Sequence, residues 1–157
     1  MPEFLQASNE EHYSAAVLLF KEYAAGLNID LSFQHFEKEL EALKSIYSLP
    51  FGGIIICKEG QTFIGCVGVR KMTATIAEIK RMYVLPDWQG KGIGNELLIR
   101  ATDLAEKCGY QYARLDTLNS MHTAMHLYKR NGFEQIEAYY HNPIPTAVYF
   151  QKQLNVR

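Results

Sequence analysis

The apolar positions of the first fifty residues repeat with the period of a helix. Ser8-Asn9-Glu10-Glu11 has the form of a helix capping box, and apolar residues follow it every three or four positions. Gly26 and Asn28 predict the end of this helix. A second stripe predicts another amphipathic helix that ends before Pro50; the apolar residues on it are Phe33, Phe36, Leu40, Leu43 and Tyr47.

From Gly53 the pattern changes to that of β-strands, and helical spacing returns twice later in the chain. Lys58-Glu59-Gly60-Gln61 predicts a hairpin turn between two strands. The order β-α-α-β-β-β-α-β-α-β-β predicts an α/β (α+β layered) fold with a mixed sheet of about seven strands and about four helices. The predicted strands are Glu3–Ala7, Gly53–Cys57, Thr62–Val69, Ile76–Leu85, Tyr112–Thr117, Phe133–Ala138 and Ala147–Gln153, and the later helices are Gly92–Cys108 and Met121–Arg130.

The composition narrows the class of protein. A chain of 157 residues, 48% hydrophobic and 21% charged, is typical of one globular domain spanning residues 1–157. The net charge of −1 gives no overall field that favours nucleic acid or an acidic membrane surface. Three cysteines without a CxxC pair predict neither a disulfide framework nor a zinc site. No signal peptide and no membrane span are predicted, so we expect a cytoplasmic protein.

Three glycines stand directly before a predicted helix, at Gly90, Gly92 and Gly94. Glycine costs backbone entropy, so this position suggests close approach of an anion to the backbone N–H groups of a helix start. A dinucleotide fingerprint would need a third glycine where Leu97 stands, and the P-loop spacing with its Lys-Ser/Thr pair is absent. An ordinary strand-to-helix turn is the alternative.

The segment Gln89-Gly90-Lys91-Gly92-Ile93-Gly94 has the form QxxGxG and resembles the acyl-CoA signature of the GNAT superfamily of N-acetyltransferases. The preceding EIKRMYVLPDW resembles the fourth strand of that family, and LYKRNGF at 127–133 resembles its closing LYxxxGF motif. EIKRMYV and LDTLNSM are also similar to a bacterial-type subgroup. The resemblance covers about residues 53–153. It implies a mostly antiparallel sheet that splays between its fourth and fifth strands.

The same resemblance implies where acetyl-CoA binds. In the family, the glycine loop wraps the pyrophosphate of coenzyme A, and the backbone of the fourth strand pairs with the pantetheine arm. Met121 stands where many members carry an Asn whose side chain contacts that arm, so Asn119 or Ser120 is the candidate to make this contact instead. The implied cofactor-binding residues are Met82, Tyr83, Val84, Gln89, Gly90, Lys91, Gly92, Ile93, Gly94, Asn95 and Asn119.

Two catalytic residues are implied as well. Tyr128 of the LYxxxGF motif matches the family tyrosine that donates a proton to the departing sulfur, with a packing role as the alternative. Glu78, eleven residues before Gln89, is in the register of a base glutamate, and a surface ion pair with Lys80 is the alternative. Strand alternation predicts that Glu78 shares a face with Lys80, Met82 and Val84.

Taken together, these residues predict direct transfer of an acetyl group from acetyl-CoA to an amine in a ternary complex. A small molecule or an amino acid is favoured as the acceptor. A catalytically degenerate acyl-CoA-binding sensor and transfer of a longer acyl chain are the alternatives, and a homodimer is left open.

Two histidine-containing segments remain. His122 and His126 lack an evident third ligand, so no metal site is predicted. Tyr139, Tyr140 and His141 lie between the last two strands, where they are candidates to touch the acceptor or to close the end of the sheet.

Overall fold

A computed structural model describes residues 1–27, 31 and 35–155. Seven strands and five α-helices follow one another within these residues. They are β1 (Glu3–Gln6), α1 (Glu10–Leu27), α2 (Phe36–Glu41), α3 (Leu43–Ile46), β2 (Gly53–Glu59), β3 (Thr62–Lys71), β4 (Ile76–Val84), α4 (Ile93–Lys107), β5 (Tyr112–Leu118), α5 (His122–Arg130), β6 (Glu134–Ile136) and β7 (Ala147–Gln153). A short 3-10 turn, Pro86–Trp88, connects β4 to the glycine loop.

The predicted fold class is confirmed. The strands form one sheet in the order β1-β2-β3-β4-β5-β7-β6, and every neighbouring pair is antiparallel except β4 and β5. The predicted second helix is two helices, because the backbone leaves helical geometry at Ala42 (φ −106°, ψ 21°). The final strand pair is also shorter than expected, since β6 ends at Ile136. Asn28 and Phe33, which entered the helix predictions, lie outside the described residues.

The sheet separates two apolar cores. On one face α4 packs Leu97, Leu98 and Ala101, all fully buried, against β2 to β5. On the other face α1 packs Phe20 against Tyr47, with ring centroids 5.7 Å apart. Burying a large apolar side chain contributes roughly 1.5–3 kcal/mol, so these two layers hold the sheet between them.

The sheet opens between β4 and β5, as the resemblance implied. The two strands pair at Ile76↔Tyr112, Ala77↔Ala113 and Glu78↔Arg114, and their pairing ends there. β5 continues alongside β7 as far as Leu118. Beyond Glu78, no described strand pairs with β4 on the side of β5, so the main chain of β4 borders an opening there.

A β-bulge at Arg81 changes which side chains face each core. Arg81 has a φ of +59°, and two residues of β4 oppose Val67 of β3 at this point. The predicted alternation of Glu78, Lys80, Met82 and Val84 is therefore wrong. Met82 and Val84 pack in the core of α4, because the extra residue shifts the alternation by one position.

Arg81 is held in this conformation by a buried ion pair with Glu39 of α2. Arg81 donates from Nη2 to Glu39 Oε1 (2.9 Å) and from Nε to Oε2 (3.2 Å), and Tyr47 Oη donates to Oε2 (2.8 Å). Burial alone would raise the pKa of the Glu39 carboxyl, but the hydrogen bonds and charge of Arg81 outweigh it and lower the pKa. A left-handed conformation costs a non-glycine residue roughly 1–2 kcal/mol, which the pair offsets.

We expect Glu39→Gln to lower the free energy of unfolding by about 3 kcal/mol, because the variant leaves the buried Arg81 guanidinium without a counter-charge. Urea denaturation at pH 7 measures the change. Glu37→Gln is the matched control on the exposed side of α2, and it should cost less than about 1 kcal/mol. Equal losses in the two variants would contradict the assigned role of the ion pair.

The same pair predicts part of the acid sensitivity. A carboxyl whose pKa is lowered in the folded state stabilises the protein above its ordinary pKa of 4.5, and that stability is lost as the pH falls further. Unfolding of Glu39→Gln should therefore depend less on pH below that value than unfolding of the wild type.

Candidate functional site

The glycine loop has a backbone that other residues adopt poorly. Gly90 and Gly92 have φ angles of +78° and +83°, and a Cβ added to either would meet no protein atom within 4 Å. Gln89 Nε2 donates to the carbonyl oxygen of Val84 (2.9 Å), which fixes the loop to the end of β4. Lys91 Nζ lies 4.9 Å from the centroid of the Trp88 ring. The loop thus presents its main chain to open space.

Helix α4 begins at this loop without a side-chain cap. Gly92 occupies the N-cap position, and because glycine has no side chain, no side-chain hydrogen bond caps the first N–H groups of the helix. The first N–H groups of this 15-residue helix lie at the positive end of its dipole. Gly94 has no left-handed φ, and a Cβ there would meet only Leu127 Cδ2, at 3.8 Å. The protein's own packing therefore does not require glycine at 94.

Asn95 and Asn119 have other surroundings. Asn95 Oδ1 accepts a hydrogen bond from Asn131 Nδ2 (2.9 Å), which joins the start of α4 to the end of α5. Asn119 is exposed in the turn after β5, where its N–H donates to the carbonyl oxygen of Thr146 (2.8 Å). The Asn95 side chain therefore already has a structural use, whereas the Asn119 side chain is accessible.

Tyr128 lies on α5 with its ring buried. The ring packs against Phe150 and Phe133, with centroids 5.7 and 6.2 Å away. No hydrogen bond joins its hydroxyl to another described residue. Burial raises the pKa of Tyr128, and the nearby Tyr23 and Asp116 raise it further. The phenol is therefore protonated at neutral pH and has a proton to donate.

Glu78 is buried and already bonded through both carboxylate oxygens. Oε1 accepts a hydrogen bond from Arg70 Nε (3.0 Å) and forms an ion pair with Arg70 Nη2 (2.9 Å), and Oε2 accepts a hydrogen bond from Tyr139 Oη (3.2 Å). Lys80 Nζ is 3.9 Å from Oε2, so the ion pair considered from the sequence exists but is not on the surface. A role as the base stays a prediction.

Glu78 belongs to a buried network of charges beside the opening. Its acids are Glu39, Glu78 and Asp116, and its cations are Arg70, Lys80 and Arg81. Lys80 Nζ lies 3.9 Å from Asp116 Oδ1, and Tyr140 Oη donates to Asp116 Oδ2 (2.5 Å). Burial lowers the pKa of Lys80.

Sequence reasoning missed Asp116. Asp116 stands in the predicted strand Tyr112–Thr117, two residues after Arg114, but its place beside the opening follows only from how that strand pairs with β4. Arg114 is the last residue to pair with β4, so alternation puts Asp116 where the strands part.

A cleft lies beside this network. It is lined by Tyr23, Leu27, Leu31, Arg81, Asp116, Thr117, Leu118, Met121, Asn142, Ile144 and Ala147. Tyr139 and Tyr140 do not line it. Their hydroxyls donate to Glu78 and to the lining residue Asp116, and Asn142 of the same segment lines the cleft. His141 is exposed.

Neither a membrane-spanning helix nor a metal-binding group of side chains occurs among the described residues. Neither α1 nor any other helix there combines the length and apolar character needed to cross a bilayer. In residues 1–27, 31 and 35–155, no three His, Cys, Asp or Glu side chains are grouped so that they could hold a metal ion.

The fold and the site define a mixed α/β protein whose sheet opens beside an uncapped helix start. The model of the Acetyltransferase (GNAT) family matches residues 18–133, more than half of the chain. An uncharacterized N-acetyltransferase of Schizosaccharomyces pombe is 36% identical over 140 residues, covering 88% of this chain and 86% of that protein. An uncharacterized N-acetyltransferase of Dictyostelium discoideum is 30% identical, covering 86% of this chain and 91% of that protein. The chain belongs to the GNAT acetyltransferase family.

Solved structures agree on the fold. An acetyltransferase from Streptococcus agalactiae superimposes with a TM-score of 0.79 at 20% identity, covering 98% of both chains. A GNAT-family acetyltransferase from Staphylococcus aureus gives 0.80 at 16% identity, covering 99% of this chain and 100% of that one. At these identities the likeness concerns the fold alone.

Proposed function

We propose that this protein transfers an acetyl group from acetyl-CoA to the nitrogen of an amine, directly between the two bound substrates. The family to which the chain belongs uses acetyl-CoA as its cosubstrate. The proposal rests on two main-chain surfaces. One is the edge of β4 beyond Glu78, where no described strand pairs on the β5 side, and the other is the start of α4, which has no side-chain cap.

Both surfaces suit parts of coenzyme A. The N–H groups from Gly92 to Asn95 bind the pyrophosphate, because a helix start attracts anions and glycines let them approach. The main chain of β4 at Met82–Val84 pairs with the pantetheine amides as an added strand would. Gln89, Gly90 and Lys91 shape the loop around the phosphates, and Asn119 contacts the arm.

The reaction needs a neutral amine and a protonated leaving group. An alkyl amine has a pKa of about 10.4 and a thiol one of about 8.5, so the amine must lose a proton and the thiolate gains one. Tyr128 gives its phenolic proton to the sulfur. Glu78 was the candidate base from the sequence; its bonds to Arg70 and Tyr139 favour a positioning role for that carboxylate.

Gly94→Val should weaken acetyl-CoA binding at least tenfold, because the added methyl groups occupy space that the protein leaves open at the start of α4. Isothermal titration calorimetry measures the dissociation constant. Gly26→Val is the matched control, since Gly26 is an exposed helical glycine at which an added Cβ would meet no protein atom within 4 Å. Unchanged affinity in a folded Gly94→Val protein would contradict the proposed phosphate site.

Tyr128→Phe should lower kcat about a hundredfold, because general acid catalysis contributes roughly 10²–10⁴ in rate. The phenylalanine ring keeps the packing against Phe150, so acetyl-CoA affinity should change less than twofold. Release of the CoA thiol with a panel of primary amines measures the rate. If the wild type binds acetyl-CoA but releases no CoA thiol with any amine of the panel, that result would instead favour the acyl-CoA-binding sensor.

A further inference from the structure

We propose that the acceptor is a small apolar primary amine without a carboxylate, and that Asp116 binds its ammonium group and takes up its proton. This inference rests on the proposed acetyl transfer and names the substrate class of the same site.

Asp116 lies where an acceptor would meet the acetyl group. It is the second residue of β5 after the last pairing with β4, and Lys80 of β4 lies across the opening from it. Its side chain is 15% exposed and lines the cleft. Burial raises the pKa of Tyr128, the proposed proton donor, and the charge of Asp116 adds to that effect.

The charges around the cleft favour a cation as ligand. Arg81, the cation of the lining, is already bonded by two hydrogen bonds to Glu39. Asp116 is the one carboxylate among the described lining residues. Its Oδ2 accepts a hydrogen bond from Tyr140 Oη (2.5 Å), while Lys80 Nζ lies 3.9 Å from Oδ1, beyond hydrogen-bond distance. An ammonium group would therefore find an anion within reach, whereas a carboxylate would compete with Glu39 for Arg81.

The remaining walls favour an apolar body behind the amine. The apolar residues that line the cleft are Leu27, Leu31, Leu118, Met121, Ile144 and Ala147. Removing apolar surface from water is favourable in proportion to its area, so these side chains favour binding of an alkyl or aryl group.

Protons and bonds balance in the step that follows. The ammonium gives one proton to the Asp116 carboxylate, and the nitrogen lone pair forms a C–N bond to the thioester carbon. The C–S bond breaks, and the sulfur takes the Tyr128 proton. The nitrogen then loses its second proton, which restores the phenol through solvent, and Asp116 releases its proton to water. The products are the N-acetyl amine, free CoA and one proton.

Matched pairs of acceptors test this directly. We would measure kcat/KM with 2-phenylethylamine against L-phenylalanine, and with 3-methylbutylamine against L-leucine, because each pair differs by one carboxylate. The amines should be at least tenfold better substrates than the amino acids. Asp116→Asn should lower kcat/KM for the amines at least a hundredfold and leave the dissociation constant of acetyl-CoA within twofold. Asp103→Asn, at an exposed position of α4, is the control.

Each outcome is decisive. Preference for the amino acids, turnover of none of the four acceptors, or a larger loss in Glu78→Gln than in Asp116→Asn would overturn this inference, while calorimetric binding of acetyl-CoA would leave the proposed function standing. Absence of acetyl-CoA binding by the wild type would overturn the proposed function itself.

Discussion

The buried ion pair between Glu39 and Arg81 is the constraint on which the rest of the site depends. Arg81 adopts a left-handed backbone that carries a cost for any residue with a side chain, and the pair compensates that cost with two charge-assisted hydrogen bonds. The resulting bulge puts Arg81 beside Lys80 in the charge network and sends Met82 and Val84 into the opposite core. Helix α2 is thereby fastened to the strand whose free edge borders the opening.

The two surfaces proposed to bind acetyl-CoA both consist of main chain. β4 offers an edge because β5 diverges from it after Glu78, and α4 offers its first N–H groups because Gly92 brings no capping side chain. The 3-10 turn Pro86–Trp88 and the glycine loop separate the two by a few residues, so one extended ligand can reach both. Side chains enter where we propose that the chemistry occurs, at Tyr128 and at the carboxylates beside the cleft.

Much of this architecture could be predicted from the sequence, because periodicity and glycine placement are local signals. The strands flanking Gly60 and the long helix after Gly92 are found where these signals predicted them. The opening between the fourth and fifth strands was implied by the family resemblance and is also found. The bulge at Arg81 was not predicted, since no glycine or proline marks it. The ion pair joins residues 42 positions apart, and the role of Asp116 emerges only when two strands and a connecting segment meet. Such contacts leave no periodic pattern.

The central claim is that acetyl-CoA lies along the edge of β4 and ends at the start of α4. Backbone amide NMR of the isotopically labelled protein, recorded during titration with acetyl-CoA, tests it most directly. We expect the largest shifts on the amides of Gly90 to Asn95 and of β4 from Met82 to Val84, with small shifts in β1 and β2. Shifts confined to other elements, or no shifts at saturating acetyl-CoA, would contradict it.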